Sequence, residues 1–157
     1  MASFHKILCP VDFSDCSKAA LRHAAQLSRA RDFLIVMTVN DPLLVMAAEK
    51  RFKNPAVGGT TPPQLHDFVN RTLAGLVGRP RVRCYVTAGS PGQEIVKAAK
   101  RLRADLIVMG TRGFGGVRRL MIGSTTDYVL RHAATPVLAL PAAWTMSRAR
   151  SAPTRAA

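Results

Sequence analysis

Five short aliphatic runs, each followed by a stretch of helical spacing, set the tightest limit on how this chain folds. The runs fall at residues 6–11, 33–39, 82–87, 105–109 and 136–140. The first, second, fourth and fifth are nearly continuous in apolar side chains, the pattern of strands covered on both faces. Strands that alternate with helices make a parallel sheet joined by right-handed crossovers. The expected fold class is therefore α/β: an open, doubly wound, five-stranded parallel sheet in a β-α-β-α-β-α-β-α-β chain.

The helices carry their own start signals. Ser14 precedes apolar positions Cys16, Ala20, Ala24 and Leu27 at helical spacing. Leu65, Phe68, Val69, Leu73 and Leu76 place a second helix over roughly 63–78. Ser90, Pro91 and Gln93 read as a capping box with proline at the first helical position. That helix should bury Ile95, Ala99 and Leu102 and turn Lys97, Lys100, Arg101 and Arg103 to solvent. A Ser-Thr-Thr-Asp segment at 124–127 opens the last helix, which must stop before Pro136. Residues 40–63 depart from the pattern: a short helix over 43–52 is expected, then a loose Pro- and Gly-containing stretch. The division is one α/β domain over 1–143 and a basic tail over 144–157, without periodicity and expected to lack order.

Composition narrows the partners rather than the fold. The longest apolar runs are five or six residues, whereas a membrane span needs about 20. No secretory signal is read at the start, so a cytoplasmic protein is expected. Cys9, Cys16 and Cys84 are too few and scattered for a disulfide scaffold or a zinc site, and reduced thiols are expected. His5, His23, His66 and His132 show no metal-ligand spacing. Lys and Arg total 23 against 9 Asp and Glu, a net charge of +14, and 17 of the 23 are Arg. Such a surplus favours anionic partners: nucleotides, nucleic acid, acidic lipids or acidic proteins.

In open parallel sheets, ligands bind beyond the carboxyl ends of the strands. Asp12 follows the first strand, Asn40 and Asp41 the second, and the glycine-rich segment 110–125 the fourth. Gly110 and Gly113 allow tight turns and close approach of a ligand. Gly123, Ser124 and Thr125 stand at a helix start, where free N–H groups and the helix dipole suit a phosphate. The hydroxyls of Ser124, Thr125 and Thr126 would add donors, and Arg112, Arg118 and Arg119 add cations. A Walker A loop is excluded because Gly116 and Val117 stand where Lys and Ser/Thr belong. The G-x-G-x-x-G fingerprint fails at Arg118.

The spacing Gly110-x2-Gly113-x9-Gly123-Ser124 resembles the ATP-binding signature of the universal stress protein family. The likeness extends over about residues 4–141. It includes the first strand with Asp12 and Ser14, the turn at 88–95, the fourth strand with its loop, and the last strand from Thr135. The resemblance implies an adenine nucleotide alpha hydrolase-like fold with strand order 3-2-1-4-5 and ATP over the ends of strands 1, 2 and 4. It implies that Pro10, Val11 and Val39 border the adenine, and that Asp12 approaches the ribose or the metal-phosphate region. Met109 and Gly110 would pack on the ribose. Gly113, Gly123, Ser124 and Thr125 would cradle the phosphates beside Arg112. Mg²⁺ would be held mainly by phosphate oxygens and water. It also implies a homodimer through the last strand, 135–140.

The leading expectation is thus an ATP-binding stress protein, acting as a nucleotide-dependent switch or sensor and not an enzyme. No evident nucleophile or general base is present, so any hydrolysis should be slow. Two alternatives stay open. One is a basic module on the same fold that binds nucleic acid or an acidic partner. The +14 charge supports it, but no nucleic-acid motif does. The arginines at 79, 81 and 83 suit a charged, Pro-blunted edge strand better than a nucleic-acid stripe. The other is a nucleotide hydrolase or adenylating enzyme, for which the loop at 12–16 lacks the usual Ser-Gly-Gly-x-Asp-Ser pattern.

Overall fold

In the computed structural model, residues 4–43, 45–46, 60–111 and 122–141 are described. The chain runs β1 (Lys6–Pro10), α1 (Asp15–Leu27), β2 (Phe33–Asn40), α2 (Pro62–Thr72), β3 (Arg81–Ala88), α3 (Pro91–Leu102), β4 (Leu106–Gly110), α4 (Ser124–His132) and β5 (Val137–Leu140). The five strands form one sheet in the order β3-β2-β1-β4-β5, and every neighbouring pair is parallel. The strand order reverses between β1 and β4, which opens a crevice at their carboxyl ends.

The unbroken apolar runs are explained by a core on each face of the sheet. Side chains alternate along a strand. Ile7, Cys9, Leu34, Val36, Leu106 and Val108 meet α1 and α2 through Leu21, Ala24, Leu65 and Val69. Leu8, Ile35, Met37, Ile107 and Met109 meet α3 and α4 through Ile95, Ala99 and Val129. Full burial of an aliphatic side chain stabilises by about 1.5–3 kcal/mol, so the central strands carry much of the fold's stability. The edge strands differ. β3 is exposed at Arg81, Arg83 and Ala88 and half-buried at its other positions, with none fully buried. In β5 only Leu140 is buried. The apolar run of β5 resembles that of a central strand, yet an edge position leaves Val137, Leu138 and Ala139 half-covered.

Helix limits bring three corrections. Gly75 and Gly78 take positive φ, so the helical spacing read to residue 78 ends at Thr72. Ser90 makes no side-chain cap bond, so the Ser90–Gln93 box does not form, although Pro91 does begin α3. A box forms instead at α2, where Gln64 Oε1 accepts from Thr61 N–H at 2.8 Å. The cap of α4 is Gly123 rather than a Ser124 side chain. Ser14 caps α1 as read, its Oγ accepting from Ser17 N–H at 3.2 Å. Of the short helix expected over 43–52, residues 43, 45 and 46 are helical and the rest fall outside the described residues. The tail at 144–157 lies outside them as well. Among the described residues, no helix is long and apolar enough to cross a membrane. Cys9, Cys16 and Cys84 are free thiols, and burial pushes the Cys9 thiol up.

The amino end of β1 is fixed by a buried carboxylate. Asp32 Oδ1 lies 3.0 Å from His5 Nδ1, and Asp32 Oδ2 accepts from Arg29 N–H at 2.8 Å. The His5 hydrogen bond, then that of Arg29, holds the Asp32 carboxyl below the usual carboxylate range. A carboxyl depressed in the folded state contributes stability above its unfolded pKa of about 3.9. That contribution is lost as pH falls through the lower folded value. Denaturant unfolding between pH 7 and pH 2 should show this acid loss in the wild type and a shallower loss in His5→Ala. Superimposable pH profiles for the two proteins would refute the coupling.

Candidate functional site

The strand ends gather the residues that follow β1, β2 and β4. Pro10 and Val11 are buried where β1 leaves the sheet, and Val11 N–H donates to the Met37 carbonyl at 2.8 Å. Asp12 comes next and is half-buried. Its Oδ1 accepts from Ser14 N–H at 3.1 Å and from Ser14 Oγ–H at 2.5 Å, tying the carboxylate to the cap of α1. Phe13 between them has φ of 66°, an outlier for a bulky residue. Its ring packs edge-on against Phe68 of α2, with centroids 4.7 Å apart. Aromatic packing and the Asp12–Ser14 bonds thus hold a strained turn in place. Strain of this kind concentrates at binding sites, and nothing in the residue type foretold it.

At the end of β2, Val39 is half-buried beside the crevice. Asn40 makes a two-bond clasp with Thr60: Asn40 Nδ2–H donates to the Thr60 carbonyl at 2.9 Å, and Thr60 N–H donates to Asn40 Oδ1 at 2.8 Å. Asn40 had been singled out only for its place after the strand. Its partner lies twenty residues on, beyond any local sequence signal.

At the end of β4, Met109 points into the core shared with α3 and α4, so only its backbone faces the crevice. Gly110 is buried. A Cβ there would lie 2.8 Å from Cys16 Sγ and 3.1 Å from the Cys16 carbonyl carbon. The space a Gly110 side chain would need belongs to α1, so this glycine seats the helix against the strand. Thr111 then links three elements. Its N–H donates to the Leu140 carbonyl at 2.9 Å, and its carbonyl accepts from Gly123 N–H at 2.8 Å.

That last bond places the start of α4 beside the end of β4. Thr126 Oγ–H donates to the Gly110 carbonyl at 3.0 Å in a buried position. The Thr126 hydroxyl, expected among the phosphate donors, is therefore committed to the fold, and so is the Gly123 amide. The first intrahelical bond of α4 runs from Asp127 N–H to the Gly123 carbonyl. The N–H groups of Ser124, Thr125 and Thr126 consequently have no partner within the helix. Ser124 is exposed and Thr125 half-buried. Pro10, Val11, Asp12, Val39, Met109 and Gly110 thus lie at the ends of β1, β2 and β4, and Gly123, Ser124 and Thr125 at the start of α4 beside β4. Arg112, Gly113, Arg118 and Arg119 lie outside the described residues.

A doubly wound sheet in 3-2-1-4-5 order, with a helix start docked at the end of its fourth strand, defines an adenine nucleotide alpha hydrolase-like domain. The chain belongs to the universal stress protein family: the family model of that description matches residues 3–141. A universal stress protein of Thermus aquaticus is 35% identical over 138 residues, covering 86% of this chain and 97% of the relative. The solved structure of MJ0577 superposes with a TM-score of 0.71 at 26% identity, covering 88% of this chain and 96% of that one. That protein is a universal stress protein of Methanocaldococcus jannaschii. A universal stress protein crystallised in complex with cAMP superposes with a TM-score of 0.63 at 24% identity, covering 89% and 98%. At that identity the likeness is one of fold.

Proposed function

We propose that this protein binds ATP at the ends of β1, β2 and β4 and works as a nucleotide-dependent switch or sensor in a stress response. The observation that carries the reading is the docked start of α4. Gly123 and Thr126 fix the helix to β4, and the Ser124, Thr125 and Thr126 N–H groups are left for an anion at the positive end of the dipole. The donor set fits a phosphate chain. Ser124 and Thr125 would hold its oxygens, with Gly113 and Arg112 alongside as the family likeness implies. Pro10, Val11 and Val39 offer an apolar border suited to an adenine, and the Met109–Gly110 backbone suits a ribose. Asp12 keeps one carboxylate oxygen outside its Ser14 bonds, able to face a ribose hydroxyl or hydrated Mg²⁺. The cation itself would be held mainly by phosphate oxygens and water.

The reading is of a binding protein in the cytoplasm, not an enzyme. Turnover would stay below about 1 per second, the low end for enzymes. β5 is an edge strand with half-covered Val137, Leu138 and Ala139, and its pairing with a second copy would complete a homodimer. Freshly purified protein, denatured and analysed by mass spectrometry, should release ATP in amounts approaching one per chain. Release of no adenine nucleotide, with no uptake on later incubation with millimolar ATP and Mg²⁺, would overturn the proposal.

A further inference from the structure

On the face of the sheet covered by α3 and α4, helix α3 leaves the outer strand incompletely roofed. Successive side chains on that face of β3 are Arg81, Arg83 and Tyr85, in register with Phe33, Ile35 and Met37 of β2. Ile35 and Met37 are buried under the helices, while Phe33 is only half-buried. Arginine covers it instead. The Arg83 guanidinium lies 4.9 Å from the Phe33 ring centroid and that of Arg81 5.6 Å. Farther along, the Arg101 guanidinium lies 5.0 Å from the Tyr85 ring centroid and donates to Tyr85 Oη at 2.6 Å. A groove of about 540 Å³ opens beside this pair, lined by Tyr85, Glu94, Lys97, Ala98, Lys100 and Arg101. Its one carboxylate, Glu94, is already paired with Lys97 at 2.8 Å.

The patch therefore holds five cations and one acid, a net charge of +4 set around two aromatic rings. The sequence alone assigns Arg81 and Arg83 to edge protection and the α3 cations to a solvated helix face. The fold joins the two sets into one surface. Cations at positions 97, 100 and 101 lie three and four residues apart, so they project from one side of α3 over a single helical turn. Flat guanidinium–aromatic stacks are surfaces on which nucleobases pile, and flanking lysines neutralise phosphates. An acidic peptide would use the charge but not the rings. A duplex would use the phosphate contacts but keep its bases stacked on one another.

We infer that the β3–α3 groove is a binding surface for single-stranded RNA, with Tyr85 and Arg101 stacking on bases and Lys97 and Lys100 contacting phosphates. The surface lies at the β3 edge and stands independently of nucleotide binding at the strand ends.

The test uses the full chain and a fluorescently labelled, mixed-sequence 15-nucleotide RNA, followed by anisotropy over a range of salt concentrations. The variant Lys97→Glu/Lys100→Glu/Arg101→Glu alters only exposed residues. Its control carries the same charge change at Lys18, Arg29 and Arg71, exposed on the side of α1 and α2. The groove variant should bind at least tenfold more weakly than the control. Its plot of log K against log salt should be shallower by about 1.4, since Lys97 and Lys100 each lose a phosphate contact and a single strand contributes about 0.7 per contact. Tyr85→Leu should weaken binding about tenfold, and Tyr85→Phe, which keeps the ring, by much less. Equal losses in the groove variant and the control would reduce the effect to general charge and overturn the inference. So would a folded Tyr85→Leu protein with unchanged affinity, or no RNA binding by the wild type. Equally tight binding of duplex RNA, or of polyglutamate with the same response to the variants, would also refute it in favour of another partner.

Discussion

Ser124→Pro should lower ATP affinity by at least about tenfold while leaving the protein folded. Ser124 is the first residue of α4, where proline is well tolerated because the lost N–H has no intrahelical acceptor. Gly123 before it has φ of −63° and ψ of 151°, the extended conformation that a following proline favours. The substitution therefore spares the helix and deletes two donors at the proposed phosphate site, the backbone N–H and the side-chain hydroxyl. Hydrogen bonds to charged groups contribute about 1.5–3 kcal/mol, and 1.4 kcal/mol is tenfold in affinity. Circular dichroism and thermal unfolding would establish that the variant is folded, and calorimetric titration with ATP and Mg²⁺ would give the affinity. A folded Ser124→Pro protein with wild-type affinity would remove the α4 start from the site.

Gly110→Val should destabilise the protein by about 3 kcal/mol, the upper part of the range for overpacking a core. In a domain of this size that corresponds to a fall of roughly 6–12 °C in Tm. The added Cβ would meet both the side chain and the backbone of Cys16. Backbone cannot move without shifting α1, whose Leu21 and Ala24 lie in the core. Cys16→Ala removes the nearest atom but not the backbone contact, so the double variant should recover only part of the loss. Coupling between touching residues is commonly 0.5–3 kcal/mol. Near-wild-type stability in Gly110→Val would mean that α1 is not seated against this glycine.

These two predictions also mark how far the sequence could be read. The parallel sheet was legible from the nearly continuous apolar runs of β1, β2 and β4, which are buried on both faces, whereas its strand order came from the family resemblance and is the order observed. The glycine spacing pointed to the family that the match assigns, and Asp12, Gly110 and Gly123 lie at the strand ends. What the sequence could not convey is where each hydroxyl, amide and Cβ points. Thr126 resembles Ser124 and Thr125 in the chain, yet it bonds the Gly110 carbonyl because α4 docks against β4. Gly110 reads as clearance for a ligand, but its neighbour is Cys16, 94 positions away. Phe13 carries no mark of its positive φ, which depends on packing against Phe68. The Ser90–Gln93 pair has capping-box spacing, but its side-chain cap does not form; at α2 Gln64 reaches back to the Thr61 amide. The RNA groove was least legible of all, since Arg83, Tyr85 and Arg101 converge only when β3 and α3 pack together.

The most direct measurement is a calorimetric titration of nucleotide-free wild-type protein with ATP in the presence of Mg²⁺. Saturable binding of one ATP per chain, with dissociation in the micromolar to low millimolar range, is the predicted result. A titration without binding heat up to millimolar ATP, matched by the absence of any ATP-induced rise in Tm, would contradict the account.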